Sequence, residues 1–412
     1  MSRPTFGMTF SRSDAAILPA IGADFSKVVL IETSEDAVEE RYPLNTGVRI
    51  STGDAEAVAA LGTGMLRSYV QGINDQLTSL NAGADVTIVR VKEEETLEAT
   101  CANIVSVLNN IRSVFTSVKA TARIFLVGRT AWRPDVNTTN PVIAALETVL
   151  PKVLAVAPVD VDDSSMIAAI SARETMTSAR VMPIGVAARV WEQGEVVTRP
   201  MAPRVVGLMI RVDNGTGGYP FDPFANRPIY GLAGLSRDVD FDLLDGSVEG
   251  QQMLASNVSI VADGEIGRDG AIADGGYHFI GTDNAKTGTS WEQIHQVRGA
   301  DFITTEFIGI TRQFLGRKIS ASNLENWIIS ESFALRDHKS EDRIVGYAPR
   351  NEMFRPDLNS PENIRKCTVK LVVGIEPTPT FKVAEHEITP YRPALEGLVE
   401  ELVQRLSSST IG

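Results

Sequence analysis

The sequence predicts an α/β core on a mostly parallel sheet, a smaller α+β part after it, and an extended arm at each end. Three observations carry this. Between Phe25 and Pro200, short apolar runs rich in β-branched residues alternate with amphipathic helical patterns, which implies parallel strands covered on both faces. After Pro200 the alternation gives way to turns, a glycine-rich hairpin and two helices. Residues 1–22 are apolar but follow neither a helical nor a strand period, and a second arm beyond Pro377 and Pro379 ends in a short helical stripe.

Residues 1–22 contain Pro4, Gly7, Pro19 and Gly22. Phe6, Met8, Phe10, Ile17 and Leu18 are too apolar for a solvated tail, so this arm is expected to dock on something. Strands are expected at Val28–Ile31, Val86–Val91, Ile124–Val127, Val153–Ala157 and Val181–Val186. Between them, Asp54 caps a helix carrying Val58, Leu61, Met65 and Tyr69; Asn140 followed by Pro141 opens another, and Asp163 precedes a third with Met166, Ile167 and Ile170. Past Pro200, Asn214-Gly215 and Gly217-Gly218 read as turns.

A block from Pro223 to Leu315 then holds a Pro/Asn turn, a short strand, glycines at 264, 267, 270, 275 and 276, and a helix entered near Trp291, Arg298, Asp301 and Phe302. Ile303, Phe307, Ile310 and Phe314 give that helix its apolar spacing, and Ser322 with Glu325 reads as a capping box for the next. A strand is expected at Cys367–Val373, stopped by Pro377 and Pro379. The last segment, Pro393–Leu406, sets Leu395, Leu398, Val399, Leu402 and Leu406 opposite Glu396, Glu400, Glu401 and Arg405. So short a helix needs a surface, its own domain or a partner.

Composition narrows the function. The chain has 412 residues, enough for more than one core, and a net charge of -13, which argues against a nucleic-acid partner. It lacks the continuous apolar stretch of a membrane helix, and its first residues lack the apolar core of a secretion signal, so a soluble cytoplasmic chain is expected. Cys101 and Cys367 have no metal or redox spacing; they read as packing thiols or, alternatively, as an inter-subunit bond. Asp263-Gly264, Asp269-Gly270 and Asp274-Gly275 fit neither a P-loop nor a calcium loop, and are expected to supply positive φ in a hairpin. No cofactor or metal is expected.

The order Pro223, Phe224, Ala225, Asn226, strand, glycine-rich hairpin and aromatic-plus-Arg helix entry resembles the contractile-tail sheath proteins of bacteriophages, R-type bacteriocins and related injection machines. Phe224, Ala225 and Asn226 stand where that family has Pro-Ala-Asn. The resemblance implies a non-catalytic, subtilisin-like sheath domain over residues 23–200 and 201–299, a C-terminal sheath domain over 300–376, and linking arms at 1–22 and 377–412. It implies a subunit that polymerises around an inner tube and contracts, with further copies of itself, the tube, baseplate and tail terminator proteins as partners, in a virion tail assembled in the host bacterial cytoplasm. On that basis Phe381, Val383 and Ile388 join the amino-terminal arm residues as linking positions. Val369, Leu371 and Val373 become the acceptor sheet, and Arg392, Leu395, Leu398, Leu402 and Arg405 the tube contact. Likeness to subtilisin raises a Ser/His/Asp triad, but His278, His295, His338 and His386 all fall outside the α/β segment and no Gly-x-Ser-x-Gly elbow is present. Ser164 and Ser165 sit at a helix start, where a hydroxyl caps. The alternatives are a non-contractile scaffold protein of a phage or secretion apparatus and an α/β hydrolase with an unrecognised site.

Overall fold

The computed structural model describes residues 24–408. Its strands are β1 Val28–Thr33, β2 Gly47–Ser51, β3 Asp85–Val91, β4 Ile124–Val127, β5 Ala157–Asp160, β6 Val181–Ile184, β7 Ala188–Glu192, β8 Glu195–Arg199, β9 Arg227–Pro228, β10 Gly234–Leu235, β11 Ile260–Asp263, β12 Tyr277–Ile280, β13 Ile344–Tyr347 and β14 Ile375–Pro377. Its helices are α1 Ala55–Ala59, α2 Met65–Leu77, α3 Leu97–Asn109, α4 Ile111–Val118, α5 Pro141–Val153, α6 Met166–Glu174, α7 Ala202–Gly215, α8 Glu249–Ala255, α9 Ile294–Thr311, α10 Ala321–Ser340, α11 Arg350–Met353, α12 Pro361–Arg365 and α13 Arg392–Ser408. The described residues fall into two compact units, 24–379 and 380–408.

The central sheet runs β2-β3-β1-β4, with β1, β3 and β4 parallel and β2 antiparallel. Parallel β5 and β6 continue it through a single bridge from Ile124 to Val156, and a second bridge from Ile184 to Ser259 leads on from β6 toward β11. Alternation along β1 and β4 explains how both faces are filled: Val29, Ile31, Phe125 and Val127 join the core beneath α3, α4 and α5, whereas Val28, Leu30, Ile124 and Leu126 join the one beneath α2 and α7. The expected parallel, doubly covered sheet is present.

Local chemistry moved several expected boundaries. The strand placed at Val153–Ala157 starts at Ala157, because Val149, Leu150 and Val153 continue the buried stripe of α5 until Leu154 turns left-handed at φ 52. Val181–Val186 stops at Ile184. Asp54 does cap α1, but α2 is a second helix, because Gly62 breaks the run at φ 79. Asn140 caps α5 as expected, whereas α6 is capped by the Ser165 hydroxyl rather than by Asp163. The cap of α10 is Ser320, not Ser322, and its hydroxyl accepts from the Asn323 amide.

Residues 202–215, read as turns, form the buried helix α7. Its Pro203 and Gly207 are packing residues: a Cβ at Gly207 would lie 2.7 Å from the Ile73 carbonyl, and one at Gly72 would lie 3.0 Å from Pro203. Small residues on both helices let α2 and α7 cross in close contact. Asn214-Gly215 belongs to that helix, and the turn comes at Gly217 and Gly218, both at positive φ.

The expected glycine hairpin joins antiparallel β11 and β12, and Asn226 at φ 50 precedes β9 on the same sheet. Of the three Asp-Gly pairs only Gly275 has positive φ; Gly264 and Gly270 are required by close approach to Gly275 and Asp242. Helix α9 begins at Ile294, so Arg298, Asp301 and Phe302 sit within it, it crosses position 299/300, and Phe314 lies past its end. Cys367–Val373 is not a strand. Cys367 is exposed at φ 59 after α12, Leu371 makes one bridge to Phe354, and the strand lies at Ile375–Pro377. Cys101 is buried on α3 as expected, and burial pushes its thiol up to about 11.

Candidate assembly surfaces

Helices α9 and α10 and the pair β13–β14 form the smaller α+β part. Its core is aromatic: Phe25, Phe221 and Phe302 pack with Leu335, Ile344 and Met353. Two ion pairs and a His–carboxylate hydrogen bond fix α9. Arg298 Nη1 donates to Asp213 Oδ1 of α7 at 3.0 Å, with both side chains 1% exposed. Arg180 Nη2 donates to Asp301 Oδ1 at 2.7 Å, and His338 of α10 lies 2.6 Å from Glu306. Burial pushes the Asp213 and Asp301 carboxyls up against the pull of their arginines. The Arg298 and Asp301 pairs bind this part to the sheet-bearing part, the His338–Glu306 contact ties α10 to α9 within it, and no sequence spacing announces any of them, since their members are 32 to 121 residues apart.

Strands β13 and β14 pair only with each other among the described residues. Each therefore has an outer edge with no strand beside it, the feature that accepts an added strand, although the Pro377 carbonyl of β14 accepts from Gln296 Nε2 at 3.4 Å. Of the expected acceptor positions, Val373 packs against the aromatic core, while Val369 and Leu371 lie in the preceding irregular segment.

Of the arm residues, Phe6, Met8, Phe10, Ile17 and Leu18 lie outside the described residues. In the carboxy-terminal unit, residues 380–391 form neither helix nor strand, and Phe381, Val383 and Ile388 are exposed, Ile388 at 95%. Helix α13 matches the expected Pro393–Leu406 segment, and Leu395, Leu398 and Leu402 are all exposed on it. Burying one such side chain is worth ~1.5–3 kcal/mol. Arg392 and Arg405 are engaged within the helix, by Glu396 at 3.1 Å and by Glu401. The α13 face is therefore apolar before it is cationic.

The ionisable groups elsewhere are structural in their surroundings. Asp160, at the end of β5, accepts from the Met201 and Ala202 amides at 2.7 and 3.1 Å and so opens α7; burial raises its carboxyl to about 7 against those bonds. Glu32 is fully buried beside Arg129 at 3.2 Å, and burial raises its carboxyl. His278 lies on β12, His295 faces the Thr378 carbonyl at 3.2 Å, and His386 falls in the irregular segment after residue 379. Among the described residues no three His, Cys, Asp or Glu side chains gather into a metal site, and no helix is long and apolar enough to cross a membrane.

No family model matches the sequence. A curated relative, the "Putative prophage major tail sheath protein" of Pseudomonas aeruginosa (strain UCBPP-PA14), is 23% identical over 239 residues, which is 57% of this chain and 58% of the relative. Among solved structures, the contracted helical sheath of the anti-feeding prophage superposes with a TM-score of 0.67 at 13% identity, covering 94% of this chain and 99% of that one. The contracted sheath complex of the extracellular injection system PVC gives 0.65 at 9%, covering 94% and 98%. A chain of the anti-feeding prophage baseplate gives 0.66 at 12%, covering 95% and 99%. These alignments cover 94% or more of the chain, so it has the mixed α/β fold of contractile-sheath subunits.

Proposed function

We propose that this chain is the repeating structural subunit of a contractile tail sheath, which polymerises around an inner tube and shortens to drive that tube through a target envelope. The observation that carries this reading is the likeness to contracted sheaths over 94% of the chain, combined with the exposed apolar side chains of the carboxy-terminal segment. The fold relatives come from a helical sheath and a baseplate, which favours further copies of this chain and a baseplate as partners. An inner tube at α13 and a tail terminator complete the set, in a tail assembled in the host cytoplasm. The parallel sheet is read as a subtilisin-like, non-catalytic domain, residues 300–376 as the C-terminal sheath domain, and residues 1–22 and 377–390 as linking arms.

The mechanism follows from main-chain pairing. A strand donated to a sheet edge gains about 0.5–1.5 kcal/mol net per hydrogen bond, and several bonds per contact repeated through a lattice make a mesh that survives repacking of the rigid bodies it joins. The acceptor is the β13–β14 sheet rather than residues 367–373. Rigid subunits linked in this way can pass between two packings without separating.

Negative-stain electron microscopy of the purified chain tests the proposal. Hollow striated tubes are expected, and deletion of residues 1–22 should leave a folded monomer that forms none. Tubes that persist after the deletion would remove the arm from the mechanism.

A further inference from the structure

The parallel sheet carries opposite charge at its two ends. At the end where β1 and β3 finish, residues 35–40 and 93–98 bring together Glu35, Asp36, Glu39, Glu40, Glu93, Glu94, Glu95 and Glu98. Several are engaged: Glu39 with Arg90, Glu93 with Arg129, Glu94 with Lys92 and Asp36 with Thr63. Glu95 and Glu98 are exposed and have no partner among the described residues, and they flank Leu97, an apolar side chain 44% exposed at the start of α3.

At the other end, where β4 and β5 begin, a groove of about 590 Å³ opens between the last turns of α4 and α5. Phe115, Leu154 and Ile308 form its apolar wall, and Arg112, Lys119, Arg123 and Lys152 its charged rim. Arg123 donates to the Val153 carbonyl and Arg112 to the Lys152 carbonyl at 3.4 Å, which satisfies the end of α5. Lys119 and Lys152 are exposed and have no partner among the described residues. A basic groove on a chain of net charge -13 selects an acidic guest, and the chain offers one at the far end of the same sheet.

We infer that the groove between α4 and α5 receives the Glu95–Leu97–Glu98 tip of a second copy of this chain, with Leu97 against Phe115, Leu154 and Ile308 and the two glutamates beside Lys119 and Lys152. Because β1, β3 and β4 are parallel, tip and groove lie at opposite ends of every copy. Their contact is head-to-tail, and it propagates copies along the strand direction instead of closing a two-fold dimer. The inference rests on the sheath reading in needing a second copy of the chain as partner, and it adds a side-chain contact to the strand exchange proposed above.

Carbodiimide cross-linking of polymers assembled from equal amounts of 14N- and 15N-labelled chain tests it. Mixed-isotope peptides joining Lys119 or Lys152 to Glu95 or Glu98 are expected. The variant Lys119→Glu/Lys152→Glu should raise the concentration needed for assembly at least ~10-fold, Glu95→Lys/Glu98→Lys should do the same, and the four changes together should restore assembly, as expected for a charge contact in solvent. All four side chains are exposed, so circular dichroism of the monomers should be unchanged. Cross-links confined to one isotope, or reversed variants that assemble at the original concentration, overturn this contact and leave the sheath reading standing. An unmodified chain that stays monomeric at every concentration overturns both.

Discussion

Replacing Arg298 by Met removes the cation from the most enclosed charge pair that joins the two parts of the fold. Both side chains are 1% exposed, and Asp213 would keep only the Ser26 hydroxyl at 3.2 Å. A buried carboxylate stripped of its arginine costs about 3–5 kcal/mol, which is strongly destabilising against a usual total of about 5–15 kcal/mol. The sign of the pH dependence follows from Asp213, which burial already pushes above 3.8 and which Arg298 alone among its cationic neighbours holds down. Without that arginine its folded-state pKa climbs further. An acid whose folded-state pKa exceeds its unfolded value binds protons on folding, so it costs stability above that pKa and the cost disappears as pH falls through it. The deficit of Arg298→Met should therefore be largest at neutral pH and narrow toward acid. Asp213→Asn/Arg298→Met should recover much of it, because neither member is then left charged. Urea unfolding of the monomeric chain at several pH values, with hydrogen exchange of α9 amides as a local probe, measures both effects. A loss under about 1 kcal/mol, or a deficit that does not change with pH, would refute the assignment of Arg298–Asp213 as the clamp between α7 and α9.

Two further outcomes are expected. Asp160 has a folded-state pKa of about 7 against a usual 3.8, so it contributes a loss of stability as pH rises from 4 to 7; Asp160→Asn, which can still accept the Met201 and Ala202 amides through Oδ1, should flatten that limb of the unfolding curve. An Asn variant with the same slope as the parent would exclude Asp160 as its source. Leu398→Asp with Leu402→Asp should change the monomer's unfolding free energy by less than about 0.5 kcal/mol, because both residues are exposed on α13, yet abolish co-sedimentation with tube. Unchanged co-sedimentation would move the tube contact elsewhere.

How much could be read beforehand depended on the range of the interaction. The β1, β3 and β4 strands, the Asn140-Pro141 cap and the α13 stripe are written in neighbouring residues, since alternation, capping and helical period act over one or two turns. Helix α7 was hidden because the stretch after Pro200 reads as Pro/Gly-rich turns. In fact Pro203 occupies the first turn, where its missing N–H costs nothing, and Gly207 is required by the backbone of α2. The strand expected at 367–373 failed for a related reason, because an apolar run alone does not choose between a strand and an irregular segment folded over a core.

The arms were legible as apolar segments with no period, but their acceptor was not. Sheet edges exist only after β13 and β14 find each other across the intervening α11 and α12. The same holds for charge. Sequence gave -13 for the chain, while the grouping of Arg112, Lys119 and Lys152 at one end of the sheet, and of Glu95 and Glu98 at the other, arises from strand order. By itself, then, the sequence determined the sheet strands, the two-layer burial and the apolar termini, because those depend on local periodicity and on removing hydrocarbon from water. Tertiary structure alone decided the buried pairs of α9, the strand pairing of the small sheet and the polarity of the large one, because each needs groups far apart in the chain to meet, and one sequence carries no distance between them.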